Sequence, residues 1–174
     1  HKRGSLVFTG KETVRRTWPM APFQTEAWNS KAIPENVTAD GGFHHIGDIS
    51  SMVYEGQELL FTSLEESTFS RTMMMVVTAD TLEYVTSCRL PQLHSPFLAI
   101  DPATSIMYSS EHNNVDVIRR YIFPSCTELP PLPVRRKGNT TVLHGIQGGA
   151  VYDGLLYLSA DKINLSKEQI ASNG

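Results

Sequence analysis

Three histidines recur at nearly constant spacing: His45, His94 and His144 stand 49 and 50 residues apart. Imidazole is the commonest nitrogen ligand for zinc, iron and copper, so three copies converging on one point would make a metal shell. Three residues downstream of each stand Asp48, Phe97 and Gln147, which add a carboxylate and an amide able to orient an imidazole or touch a ligand. The candidate ligand-binding set is therefore His45, Asp48, His94, His144 and Gln147. Within it, His45, His94 and His144 are the candidate ligands of a divalent metal (zinc, iron or calcium), and Asp48 is the candidate base. The same histidines suit a second role, fastening neighbouring repeats by hydrogen bonds to backbone. His44 is placed to face the same mouth, whereas His112, inside Ser109-Ser-Glu-His-Asn-Asn114, is expected on a loop.

The elements that must position these side chains repeat with them. The segments that begin at His45, His94 and His144 each read as a short apolar strand, a tight turn and a second strand. The turns are Tyr54-Glu-Gly56, Asp101-Pro-Ala-Thr104 and Tyr152-Asp-Gly154, rich in the residues that accept turn backbone. Phe61, Tyr108 and Tyr157 mark the second strands at spacings of 47 and 49. Another strand pair follows: Met73–Val77 turns through Thr78–Thr81 into Leu82–Cys88, and Val115–Phe123 turns at Pro124-Ser125. Four strands in about forty-nine residues is the pattern of one β-propeller blade. Apolar residues on consecutive positions, as in Met73–Val77, suit a strand covered on both faces. Helical periodicity is weak everywhere and is confined to residues 167–171.

Thr78-Ala-Asp-Thr-Leu-Glu-Tyr-Val-Thr-Ser-Cys-Arg-Leu-Pro91 resembles the third-to-fourth strand hairpin of the YVTN and quinoprotein-like propeller repeats, and the three preceding hairpins resemble its first two strands. The resemblance spans about residues 44–160 and implies an all-β propeller of about three four-stranded blades, part of a six- or seven-bladed ring. It implies a fold that hosts lyases, lactonases, dehydrogenases and binding modules alike. The expected divisions are a partial blade with an irregular Pro- and Trp-containing arm (1–43), two blades (44–93 and 94–143), and an incomplete blade with a C-terminal stub (144–174). At that period 174 residues hold about three and a half blades, so a fragment, or half of a ring completed by another copy or chain, is expected.

Other residue clusters carry less chemistry. Glu65-Glu66 and Asp161 are expected just past second strands, as solvated loop carboxylates. Gly145-Ile-Gln-Gly-Gly149 opens a strand, so close backbone approach near a crowded axis explains it better than phosphate binding at a helix N-terminus. Arg119-Arg120 falls within a strand and Arg135-Arg136-Lys137 in a loop, both as local patches. Trp18 and Trp28 flank the Pro-rich stretch from Pro19 to Pro34, a lid or packed arm. No nucleophile elbow with a Ser-His-Asp order is present, and Cys88, in a strand, reads as core.

Composition bounds the rest. With 15 Lys plus Arg against 18 Asp plus Glu, net charge −3, and no charged block, the chain is not a basic nucleic-acid binder. No apolar run approaches the ~18–20 residues of a membrane helix. Asn36, Asn139 and Asn164 head Asn-x-Ser/Thr sequons, three of seven asparagines, where composition alone gives about one. They point to a secreted or luminal glycoprotein. Cys88 and Cys126 allow either one disulfide or two buried thiols. The leading residue is His1, which suggests a processed or truncated chain. Three functions fit: a binding module that takes a small molecule or protein partner at the channel mouth, a metal-dependent hydrolase, lactonase or lyase, or a structural part of an extracellular assembly.

Overall fold

A computed structural model describes residues 5–8, 14–17, 26–29, 32–35, 37, 42–136 and 139–164, with side chains over most of that range. Its strands, all paired antiparallel, are β1 (Ser5–Phe8), β2 (Val14–Thr17) and β3 (Glu26–Asn29); β4 (Phe43–Tyr54), β5 (Gln57–Glu66), β6 (Thr72–Thr78) and β7 (Tyr84–Leu90); β8 (Ala99–Asp101), β9 (Ile106–Ser109), β10 (Val117–Ile122) and β11 (Thr127–Pro133); β12 (Arg135–Arg136) and β13 (Asn139–Thr140); and β14 (Val142–Tyr152) and β15 (Leu155–Asn164). The chain is all-β. Among the described residues β4–β7 and β8–β11 form two four-stranded meanders, each ordered as in sequence, while β1–β3 form a three-stranded sheet and β14–β15 a hairpin.

Turn chemistry sets the register of the two long hairpins. Tyr54 pairs with Gln57 across Glu55 (φ 50°) and Gly56 (φ 81°), and Tyr152 pairs with Leu155 across Asp153 (φ 50°) and Gly154 (φ 71°). Both central residues are left-handed, as a two-residue turn matched to strand twist requires. From there the alternation runs inward: Phe61 and Met52 point to one face of the sheet, Leu60 and Leu64 to the other.

Every residue of β6 is buried, because its sheet is covered on both sides. One face packs Leu64, Met73, Met75 and Val77 on Ala32, Ile33 and Val37; the other packs Phe61, Met74 and Val76 against Leu98, Ile100, Met107, Tyr121 and Phe123 of the next sheet. A third core joins Phe97, Ala99, Val115 and Ile118 to Ile146 of β14. Each wholly enclosed side chain such as Phe61 contributes about 2–3 kcal/mol by burial. Successive sheets thus stack face to face, with their first strands β4, β8 and β14 side by side.

The first strands are stitched closely. Asp48 N–H donates to Pro96 O (2.9 Å), Ser50 Oγ donates to Leu98 O (2.7 Å), and Ile100 N–H donates back to Ser50 Oγ (3.0 Å). Glycine makes the approach possible: a Cβ at Gly47 would lie 2.7 Å from Pro96 O, and one at Gly149 2.6 Å from Phe97 Cε2. At the outer side Cys88 of β7 and Cys126, in the β10–β11 turn, form a disulfide between the two four-stranded sheets. β11 is an edge strand that carries Pro130, Pro131 and Pro133, residues that cannot donate to a further strand.

Several expectations are corrected. Glu65 and Glu66 are not solvated loop residues; they end β5 and are buried, because the strand stays covered to its last residue. Asp161 lies within β15 rather than beyond it, and Arg135-Arg136 is strand β12, paired with β13, rather than loop. Within residues 1–43, expected to hold a partial blade and an irregular arm, lie the three short strands β1–β3, and Trp28 is in β3. Leu82, expected to open a strand, instead takes a left-handed turn conformation (φ 57°), and β7 starts at Tyr84. Trp18, Asn36, Lys137 and the weakly helical stretch 167–171 lie outside the described residues.

Candidate functional site

Where β4 begins and β5 ends, the first strands leave a cleft of about 360 Å3. β4 supplies His45 and Asp48, the end of β5 supplies Glu65, and the β5–β6 turn supplies Phe69. The link from β7 to β8 supplies His94 and Pro96, the link from β9 to β10 supplies His112, and β14 supplies Gln147. Four of the five expected binding residues, His45, Asp48, His94 and Gln147, therefore line one cavity.

His144 is not among its lining residues. A register shift in β14 between Ile146 and Gly148 and a left-handed Gly145 (φ 66°) separate it from Gln147, and its Nδ1 lies 3.4 Å from the N–H of Asn114. His112 takes its place. The loop that carries it is sewn to β14: Ile146 N–H donates to His112 O (3.0 Å), His112 Nδ1 donates to Ile146 O (2.7 Å), and Gly145 N–H donates to Asn113 Oδ1 (3.1 Å). His112 is on a loop, as its polar surroundings suggest, yet the loop brings it to the site.

The rings form a wall. Phe69 stacks on His94 with centroids 4.9 Å apart and planes 12° apart, and His94 stacks on His112 at 5.2 Å and 27°. His45 meets Phe69 edge-on at 5.5 Å. Phe69 remains 43% exposed and holds a φ of 51°, an unfavourable conformation for an aromatic residue. Glu66 builds the turn that presents it. Its carboxylate accepts from Arg71 Nε (2.8 Å) and Nη2 (2.6 Å), from Thr68 Oγ1 (2.9 Å) and from Ser70 Oγ, while Phe69 N–H donates to Glu66 O (3.0 Å). The Arg71 hydrogen bonds, followed by those of Ser70 and Thr68, hold the Glu66 carboxyl at about 2.

Beneath the wall lies Glu65, wholly buried. Its Oε1 accepts from the Ser95 N–H and from His94 Nδ1, which fixes His94 with a proton on Nδ1. Its Oε2 has no hydrogen-bond partner, and His45 Nε2 stands 3.8 Å away. The link that carries His94 is anchored by Gln92, whose Nε2 donates to His94 O (2.7 Å), Ser109 Oγ (3.0 Å) and Ser110 O (3.0 Å), and whose Oε1 accepts from Tyr121 Oη (2.9 Å). Burial pushes the Tyr121 phenol up, so it stays a neutral donor.

Among the described residues no three His, Cys, Asp or Glu side chains are grouped to hold an ion; His94 and His112 turn ring faces to one another and direct their Nδ1 atoms to Glu65 and to Ile146 O. Asp48 Oδ1 accepts from Ile49 N–H (2.8 Å) and its Oδ2 from Gly149 N–H (3.1 Å), so it ties β4 to β14. Asn139 and Asn164 are strand residues of β13 and β15, and their side chains, like that of His44, lie outside the described set. Arg119 pairs with Glu128 (2.7 Å) and Arg120 donates to Pro130 O, so both serve their own sheet.

No family model matches the chain, and no curated protein matches it. Among solved structures it is similar to one titled "Structure of Dos1 propeller", with a TM-score of 0.49 and 11% sequence identity, over 86% of this chain and 37% of the other. The chain thus spans little more than a third of that structure's length. Among the described residues no helix is long and apolar enough to cross a membrane.

Proposed function

We propose that this chain is a propeller-type binding module whose occupant, a small molecule or a segment of a protein partner, sits in the His45–His94–His112 cleft. Phe69 carries the reading. A large apolar ring at a left-handed φ is costly, and here the cost keeps the ring half in solvent at the rim of a cavity and stacked on His94. Such a surface is what a ligand stacks on. The forty-nine-residue repeat supports a larger ring of YVTN or quinoprotein-like blades, with further blades from the same or another chain. The Cys88–Cys126 disulfide and the three sequons support a secreted or luminal setting.

The test is a fragment and peptide screen that spans cationic, anionic and neutral probes, read by NMR at the ring protons of His45, His94 and His112. Saturable shifts confined to these rings are expected, with affinity at least ~10-fold weaker in Phe69→Ala. A panel in which no compound moves these resonances would overturn the reading.

A further inference from the structure

We infer that the cleft selects a primary ammonium group, delivered on an aliphatic stem, with Glu65 Oε2 as its acceptor. The inference rests on the binding reading above and names the chemistry of the occupant. A carboxylate oxygen with no access to water and no donor is costly to keep, and proteins normally pair it. Here one oxygen of Glu65 is doubly satisfied by Ser95 and His94, whereas the other faces the cleft wall at His45 with nothing donating to it. His45 is half-exposed and held there by an edge contact with Phe69, so a better donor can take its place over Oε2.

Charge and shape narrow the donor. Asp48 adds a second carboxylate at the rim, and among the described residues that line the cleft none is Lys or Arg, so the cavity favours a cation. A guanidinium binds best to two open carboxylate oxygens in a fork, and Glu65 offers one. An ammonium is a point donor that needs one. Its methylenes would lie along the edges of the Phe69–His94–His112 stack, whose inner faces are turned on one another.

The assay follows the same histidine ring protons during titration with butylamine and with N-acetyl-lysine methylamide, against two uncharged controls, N-acetyl-norleucine methylamide and the Nε-acetylated lysine amide. Saturable binding of the ammonium probes, at least tenfold tighter than the controls, is expected. Glu65→Gln keeps the outline of the side chain and its acceptor toward Ser95, but turns an NH2 donor toward the incoming ammonium, and is expected to erase the tenfold preference. The comparison of free with acetylated amine on the unaltered protein stands even if that variant folds poorly. Tighter binding of the lysine amide than of butylamine would assign the group to a peptide chain, and the reverse to a free amine; both support the inference. Equal binding of charged and uncharged probes, or hits from the wider screen that are only anionic or neutral, would overturn the inference and leave the binding cleft standing. Silence of these rings to every probe would overturn both.

Discussion

Replacing Gly149 by alanine probes the close packing of first strands that shapes the cleft. An added Cβ would lie 2.6 Å from Phe97 Cε2, whereas carbon atoms rest about 3.5–4.0 Å apart. The ring must retreat by roughly 1 Å, yet Phe97 is wholly buried among Ala99, Val115, Ile118 and Ile146 and has nowhere to go. Overpacking of this kind costs about 1–3 kcal/mol. As β14 yields with it, the Gly149 N–H bond to Asp48 is stretched, which adds about 1 kcal/mol. A loss near 3 kcal/mol is expected, read as a lower urea midpoint at unchanged slope and a fall in Tm of roughly 6–12 °C. Phe97→Leu alone removes about three buried carbons and costs about 2 kcal/mol. In the double variant the shorter side chain makes room for the methyl, so the combined loss should fall at least ~1 kcal/mol short of the sum. Strict additivity in this cycle would refute the steric account of Gly149.

Two further outcomes follow from contacts described above. Substituting Cys88 and Cys126 by serine opens a loop closed over 38 residues and should cost about 4 kcal/mol by chain entropy, so identical melting of the oxidised and serine forms would dismiss the bridge as a stabiliser. The Glu66 carboxyl, held at about 2 by Arg71, stabilises the fold while ionised; that contribution is complete above its ordinary value of 4.5 and is lost as pH falls through about 2. Unfolding free energies of the native chain at fixed ionic strength should therefore drop more steeply across this window than those of Glu66→Gln, and parallel curves would count against it.

The two-residue turns at Glu55-Gly56 and Asp153-Gly154 could be read from sequence because left-handed backbone has few willing residues. Met73–Val77 was legible as a doubly covered strand for a similar reason: no polar residue interrupts it. Glu65 was not. Two consecutive carboxylates ordinarily announce solvent, and only the link bearing His94 and Ser95, brought across from 29 and 30 residues away, gives one of them donors underground. His112 was hidden by the loop around it, whose path is set by backbone bonds to Ile146 that leave no mark in composition. His144 shared the sequence register but not the place: a left-handed Gly145 follows it, its Nδ1 takes the Asn114 N–H, and His112, on the loop bonded to Ile146, lines the cleft instead. β11 carries three prolines in seven residues and would be dismissed as a strand anywhere except at an edge.

The bond between Cys88 and Cys126 also has a mechanical meaning. It joins the last strand of one sheet to the far turn of the next, while Asp48 and Ser50 hold the same two sheets together along their first strands. Tension applied along the backbone would pass through the sulfurs and bypass the residues between them, a sequence separation of 38, so the oxidised chain is shorter at full extension by about 130 Å, at ~3.5 Å per residue. The segment thus shielded includes His94 and His112, two of the three stacked rings, so a pulled but oxidised protein yields at its flanking strands with the inner wall of the cleft still covalently looped.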